Sequence, residues 1–177
     1  MPTPDLDRCI EKLARMPAVL PALLNGVTPD EARQRGPEGQ WAIIEIVCHL
    51  ADEETEDFRQ RLRLTLEDPE QRWPEIDPAG SADARNYLER ELKQSIDAFR
   101  NERATSLDWL RGLDAAACDW EAVHPHQRWP ITAGDLLTSW LAHDQLHLRQ
   151  LAKRLYEIAI TRGGGFNALY AGKPPGA

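Results

Sequence analysis

TSWLAHDQLHLRQLAKRL, residues 138–155, is the stretch with the clearest helical pattern in this sequence. At about 100° of rotation per residue, Leu141, Leu148 and Leu155 lie on one apolar strip. The adjoining strip holds Trp140, His143, His147, Gln150 and Arg154. The stretch therefore predicts a long helix that packs into a core and carries two histidines beside its apolar seam.

Working outward from this stretch, long periodic segments with little glycine alternate with segments rich in proline and glycine. This pattern predicts four helices, at about 5–24, 41–66, 81–113 and 132–160. Thr132 and Asp135 resemble a capping box at the start of the fourth helix, and Ser81 is the expected N-cap of the third. Pro17 and Pro21 are expected to kink or break the first helix. A flexible tail is expected over about 163–177.

The helical pattern predicts an all-α fold, a four-helix bundle formed by residues 1–177 as a single domain. A chain of 177 residues is long enough to bury a core of its own. The connections 67–80 and 114–131 are long enough to cross an end of the bundle. Helices two and three are therefore expected to be parallel neighbours instead of a hairpin.

Composition narrows the classes of partner. The formal net charge of -8 excludes a general phosphate-binding surface, so no nucleic acid partner is expected. No run approaches the roughly 18 apolar residues of a membrane span, so no membrane partner is expected. The 3 cysteines form no CxxC pair, which indicates a reducing compartment. The first residues lack the pattern of a secretory signal, and a cytoplasmic location is expected.

Two histidines four residues apart on a helix present both imidazoles on one face, which is half of a metal site. With 5 histidines in 177 residues, about 0.14 such pairs are expected by chance, so the pair alone is a modest signal. His49, in the helical stretch WAIIEIVCHLADEE, is the candidate third ligand. The alternative is that His49, His143 and His147 are ordinary half-buried residues. His124 and His126 are expected to be solvated residues of a loop.

Two carboxylates accompany His49 on its helix. Glu45, His49 and Glu53 share one strip at spacing four, so either carboxylate could be a ligand, an outer-shell partner or a general base. Three imidazoles favour zinc, nickel, copper or iron over magnesium or calcium, with zinc or nickel expected first. Three protein ligands would leave positions open for water or a substrate. Arg154, two turns beyond His147, could orient an anionic group.

The spacings Trp41-x3-Glu45-x3-His49-Leu50 and His143-x3-His147-x2-Gln150-Leu151 resemble those of the DinB-like (DinB/YfiT) superfamily, over roughly residues 5–158. The resemblance implies a bundle of up-down-down-up order. It also implies that His49, His143 and His147 form a ligand triad facing a cavity, and that the chain is a homodimer. Characterised members include S-transferases and isomerases that use mycothiol, bacillithiol or glutathione. A low-molecular-weight thiol is thus a possible cofactor, with Gln150 and Arg154 as candidate cofactor-binding residues.

Three functions fit these residues. The first is a metal-dependent enzyme acting on a small molecule, with thiol-dependent S-transfer or isomerisation preferred on the resemblance and metal-dependent hydrolysis as the alternative. The second is a non-catalytic metal- or ligand-binding protein, for example in a stress response. The third is a purely structural bundle without a metal.

Overall fold

The computed structural model describes residues 4–124 and 130–172, without the side chains of Ala79 and Leu169. The described residues contain no strand, apart from one isolated β-bridge between Val123 and Thr132. Their α-helices are α1 (Leu6–Leu13), α2 (Met16–Leu23), α3 (Pro29–Arg33), α4 (Ile43–Glu53), α5 (Arg59–Glu67), α6 (Pro78–Ala84), α7 (Leu92–Arg111) and α8 (Ala133–Arg162). A π-helical turn, Glu54–Phe58, joins α4 to α5 in one continuous rod.

Four helical rods form the bundle: α1 with α2, α4 with α5, α7, and α8. In the contacts between the second and third rods, the residue numbers increase in the same direction along both rods. Cys48 Sγ lies 3.4 Å from Ser95 Oγ, and further along Arg59 Nη1 donates to Ser106 Oγ at 3.2 Å. The rods are therefore parallel, as the long connection between them predicted.

The fourth rod runs antiparallel to the second. Arg154, late in α8, donates to Gln40 ahead of α4, whereas Trp140, early in α8, donates to Glu54 behind it. The first rod is antiparallel to α7 and parallel to α8, as two groups of core residues show. The groups are Leu6, Ile10, Leu107, Leu110, Leu136 and Leu137 at one end, and Met16, Leu20, Ile96, Phe99, Leu151 and Ile158 at the other. The bundle thus has the up-down-down-up order.

The predicted first helix is two helices in the structure. The chain turns at Ala14 and Arg15 between α1 and α2. Pro17 lies in the first turn of α2, where a helix needs no backbone donor, so the break falls ahead of it. Pro21 lies inside the short α2.

The prediction of one helix over 81–113 was wrong. Asp77 is the N-cap, accepting the Gly80 backbone N–H at 2.9 Å, and Pro78 follows in the first turn, so Ser81 lies inside α6. Asn86 then adopts a left-handed conformation with φ 51°, which ends helical growth until α7 begins at Leu92. Asp followed by Pro is the stronger start signal, because the side chain caps the helix and proline presets its φ.

The start of α8 confirms the predicted capping box. Asp135 N–H donates to Thr132 Oγ1 at 3.0 Å, and Thr132 N–H donates to Asp135 Oδ2 at 3.0 Å. Phe166 and Tyr170, beyond the end of α8, are exposed, so they do not pack on the body of the chain. Within the described residues, no helix has the length and apolar character needed to cross a membrane.

Candidate metal centre

The antiparallel packing of α4 and α8 brings three histidines together inside the bundle. His143 Nε2 lies 3.3 Å from His49 Nε2 and 3.0 Å from His147 Nε2. One ligand nitrogen of each ring lies within 4.8 Å of the others. His49 and His147 are each 6% exposed, and His143 is half-buried. The three histidines singled out in the sequence therefore meet, and we call them the triad.

The nitrogens that face away from the triad centre have their own partners on two of the rings. His147 Nδ1 lies 2.8 Å from Gln150 Oε1, an oxygen that can only accept. The proton of His147 is therefore on Nδ1, and its Nε2 presents a lone pair to the centre. His49 Nδ1 lies 3.5 Å from Glu53 Oε1.

The protein environment keeps the triad neutral. Burial, reinforced by the neighbouring imidazole of His147, lowers the pKa of His49 and of His143 to about 3. Burial also lowers the pKa of His147, although Gln150 and Asp144 oppose that change. Neutral imidazole is the form that ligates metal ions, so the triad is in its ligand form at neutral pH.

The donor set fits a divalent transition-metal ion. Nitrogen lone pairs that face one another at 3.0–3.3 Å repel unless a proton or a cation lies between them. Zinc–nitrogen bonds of about 2.0–2.1 Å in tetrahedral geometry place ligand nitrogens about 3.4 Å apart, close to these separations. Three imidazoles also leave a coordination position open, which is the pattern of catalytic sites and not of closed structural ones.

The two carboxylates predicted beside His49 have different surroundings. Glu53 is 7% exposed, and its Oε1 lies 3.5 Å from Nδ1 of His49. Burial and the neighbouring Asp57 raise the pKa of Glu53, which favours the neutral acid beside the neutral imidazole. Glu45 is fully buried at the start of α4. It accepts the Ala42 N–H at 2.8 Å and the Arg35 Nε–H at 3.0 Å. Its contacts give Glu45 a structural role at the helix start, and Glu53 is the carboxylate that adjoins the triad.

Gln150 and Arg154, the candidate cofactor-binding residues, are both engaged by the protein itself. Gln150 holds His147, as described above. Arg154 is 3% exposed, donates to Gln40 Oε1 at 2.9 Å and forms an ion pair with Glu157. Its guanidinium lies on Gly36, where an added Cβ would sit 1.2 Å from Nη1, so a larger residue there would displace the guanidinium. Neither side chain is free for a cofactor in this arrangement.

Sequence reasoning missed a buried ion cluster behind the triad, formed by Arg103, Glu54 and Asp144. Arg103 has no exposed surface and donates to both Asp144 oxygens at 2.7 Å and to Glu54 Oε1 at 2.7 Å. A signal was present, because Arg103 continues the helical spacing of the apolar residues Ile96 and Phe99.

Two histidines, His124 and His126, lie outside the triad. His124 was predicted to be solvated, and this was wrong. It is 1% exposed, its Nε2 lies 2.6 Å from the Gln71 carbonyl oxygen, and its ring packs on Trp73 with centroids 4.9 Å apart. His126 lies outside the described residues.

Comparison with solved structures finds a similar fold. The chain matches YfiT from Bacillus subtilis with a TM-score of 0.77 and 18% sequence identity, over 90% of each chain. YfiT is described as a probable metal-dependent hydrolase with an unusual four-helix bundle topology. At this identity the likeness establishes the shared fold. No curated protein sequence matches the chain significantly.

Comparison with sequence families gives a match over most of the chain. The family model of the DinB superfamily matches residues 12–151, a span that includes the triad and at least part of each of the four rods. The up-down-down-up order and the meeting of the three histidines agree with the resemblance carried by the two histidine motifs. This protein belongs to the DinB superfamily.

Proposed function

We propose that this protein is a divalent-metal-dependent enzyme that acts on a small molecule, with His49, His143 and His147 as the metal ligands. The observation that carries the proposal is the convergence of three neutral imidazoles whose Nε2 atoms face one centre. Ordinary buried histidines place each nitrogen against a donor or acceptor of the protein. Here the inner nitrogens face each other, so a cation is the partner that satisfies all three.

A divalent cation at this position supplies Lewis acidity, which lowers the pKa of a water molecule or thiol and generates a nucleophile near neutral pH. The chain supplies orientation and a dry environment. Gln150 holds the Nδ1 proton of His147, and Glu53 adjoins Nδ1 of His49. Trp41 and Phe58 cover the rings of His49 and His143, each with centroids 4.9 Å apart. Such partners fix ring orientation and raise ligand basicity.

Hydrolysis is the reaction that we place first. A thiol cofactor carries charged groups that need free cations, yet Arg154 is held by Gln40 and Glu157. Water needs no such anchor, and Glu53, which adjoins the outer nitrogen of His49, helps to orient that ligand. The description of YfiT as a probable metal-dependent hydrolase supports the same reaction. Thiol-dependent S-transfer or isomerisation, supported by the family resemblance alone, is the second candidate.

Metal analysis is the first test. Protein purified without a histidine tag or chelator is expected to contain a stoichiometric divalent transition metal, with zinc or nickel expected first. His143→Ala should abolish it. Gln145→Ala is the matched control, because Gln145 lies between the two α8 histidines in sequence but is exposed. Absence of any metal from the wild-type protein, even after incubation with zinc, would contradict the proposal.

Activity assays separate the reactions. The metal-loaded protein is incubated with a panel of esters and amides, and separately with an electrophile plus mycothiol, bacillithiol or glutathione. Turnover of the first panel that is lost in His143→Ala supports hydrolysis, and turnover only with a thiol supports S-transfer. Bound metal without turnover in either panel would favour the non-catalytic binding protein.

A homodimer and a cytoplasmic location complete the proposal. Sedimentation equilibrium of the purified chain tests the first, and localisation of the tagged chain by fractionation of cells tests the second. A monomer at all concentrations would contradict the homodimer.

A further inference from the structure

His143 differs from the other two members of the triad in the way that its ring is held. The outer nitrogens of His147 and His49 face Gln150 and Glu53. Among the described residues, none bonds to Nδ1 of His143. Its ring lies instead against Phe58, with centroids 4.9 Å apart and planes inclined by 59°. Since His143 Nε2 adjoins both other Nε2 atoms, the ring with the fewest polar restraints occupies the middle of the triad.

Phe58 is itself held by a stack of rings. It lies parallel to Trp140, with centroids 5.7 Å apart and an interplanar angle of 9°. Trp140 has no exposed surface and donates its Nε1–H to Glu54 Oε1 at 2.9 Å. Trp140 and His143 are one turn apart on α8, so the same helix presents both rings to Phe58.

The π-helical turn explains how Phe58 reaches His143. Nine α-helical steps of about 100° would place Phe58 about 180° from His49, on the opposite face of the rod. A π-helical turn takes up one extra residue, which reduces that angle to about 80°. The turn Glu54–Phe58 therefore rotates Phe58 to the side of the rod that faces the triad, and it contains Glu54 as well. Single π-helical turns inside α-helices are frequent at functional sites.

The ion cluster connects the π-helical turn to the segment of α8 that carries His143. Arg103 of α7 binds Glu54 on the π-helical turn and Asp144, the residue after His143 on α8. Buried ion pairs are weak evidence for stability, because apolar residues of similar volume are often as stable or more so. The cluster does, however, fix the register of three rods relative to one another.

We propose that Phe58 is the positioning residue for His143, and that the π-helical turn and the ion cluster hold Phe58 in place. The inference rests on the proposed metal centre and adds how its middle ligand is oriented. Phe58 acts through His143 and does not ligate the metal. Its effect should therefore be on metal affinity and ligand geometry.

The direct test replaces Phe58 by leucine and measures cobalt(II) affinity by competition, together with the visible absorption of the cobalt(II)-loaded protein. Phe58→Leu should bind cobalt(II) about tenfold more weakly, at the lower end of effects seen for residues that orient ligands, with a changed absorption band. Phe58→Tyr keeps the ring and should retain wild-type affinity and absorption. Unchanged affinity and absorption in Phe58→Leu would overturn the proposal.

Leu62→Val is the control for a merely structural effect. Leu62 is buried one turn further along the same rod and packs in the same hydrophobic cluster as Phe58. Thermal unfolding of both metal-free variants establishes their losses of stability. An equal loss of cobalt(II) affinity in Leu62→Val would show that general destabilisation weakens the site, and the positioning role would be wrong.

NMR of the metal-free wild-type protein provides a readout that needs neither metal nor variants. Cross-relaxation between the rings of Phe58 and His143, with one populated His143 rotamer, supports positioning; absence of the contact or several rotamers overturns it. If the wild type binds no cobalt(II), the proposed function fails, and this measurement still decides the positioning. If Phe58→Leu does not fold, the NMR measurement on the wild-type protein still tests whether Phe58 positions His143.

Discussion

The triad and the ion cluster are two buried polar groups that share α8, and they differ in what completes them. Around Arg103, a positive guanidinium meets two carboxylates and the Leu13 carbonyl oxygen, all within 3.0 Å. Opposite charges and hydrogen bonds from the protein itself balance this group. In the triad, three neutral rings present their Nε2 atoms to one another at 3.0–3.3 Å, and no anion of the described residues lies between these atoms.

This difference distinguishes a group that the residues of the protein complete from a group that we propose a metal ion completes. The low dielectric of the interior makes an unpaired polar group costly, so native proteins complete such groups. The ion cluster is completed by residues of three rods, although Glu54 Oε2 and Arg103 Nε lack a partner among the described residues. In the triad, whose His143 directly precedes Asp144 on α8, a metal ion is the partner that we propose. Substitutions can disrupt each group separately. Disrupting the ion cluster should lower the stability of the metal-free protein, whereas disrupting the triad should remove the stabilisation by metal.

The largest effect is expected from breaking the ion cluster. Arg103→Met leaves the carboxylates of Glu54 and Asp144 buried without a counter-charge, which should lower the free energy of unfolding by about 3–5 kcal/mol. Urea denaturation measures the change. Arg59→Met is the matched control, because the pair of Arg59 with Glu102 is partly exposed and should contribute at most about 1 kcal/mol. Equal losses in the two variants would show that the cluster is not a buried network.

Breaking the triad should mainly change how much a bound metal stabilises the protein. Zinc at a hundredfold excess over its Kd should raise the free energy of unfolding of the wild type by about 2.7 kcal/mol, because only the folded state presents the site. His143→Ala should show no such gain, whereas Gln145→Ala should show all of it. Thermal unfolding with and without zinc measures the effect. A zinc-dependent gain that survives in His143→Ala would place the metal elsewhere.

The third expected effect is a pH dependence of stability that comes from the triad. Folding lowers the pKa of His49 and His143 from 6.5 to about 3, so between these values the unfolded chain binds more protons than the folded protein. The metal-free protein should therefore lose stability as the pH falls through this window. A drop from pH 6.5 to 5.5 should cost about 1 kcal/mol for each of the two histidines.

The double variant His49→Gln, His143→Gln isolates this contribution, because it removes both imidazoles and leaves every other titratable residue in place. Urea denaturation at the two pH values gives the difference. If wild type and double variant lose the same stability between pH 6.5 and 5.5, the two imidazoles are not held neutral by burial.

Sequence reasoning found the triad because its signals are local. The periodic leucines of α8, the Thr132 capping box and the spacing of His143 and His147 each lie within a few turns of one helix. Adding His49 required only that a second helix face the first. Such patterns can be recognised in a single sequence, because the 3.6-residue periodicity of a helix is enough to show which residues lie on one face.

The features that escaped sequence reasoning depend on contacts between distant segments. The left-handed Asn86 interrupts the predicted third helix, and α6 packs on α4 through the cluster that contains Ala82 and Tyr87. The π-helical turn has no composition signature, since it is set by what the rod packs against. Arg103 has partners on all three other rods, so its burial could be inferred only with those partners in place.

The smallest effect is expected from the residue that holds His147. Gln150→Ala removes the acceptor at 2.8 Å from Nδ1, so the ring loses the bond that fixes its tautomer and points Nε2 at the centre. Zinc affinity should fall by about tenfold, equivalent to about 1.4 kcal/mol, at the lower end of the effects of such partners. Competition with a chromophoric chelator measures it, with Arg149→Ala as the exposed neighbouring control. The metal-free stability of Gln150→Ala should change little, because Gln150 is half-buried. A large loss of metal-free stability with unchanged zinc affinity would mean that Gln150 stabilises the fold, as the ion cluster does, and does not orient His147 for metal binding.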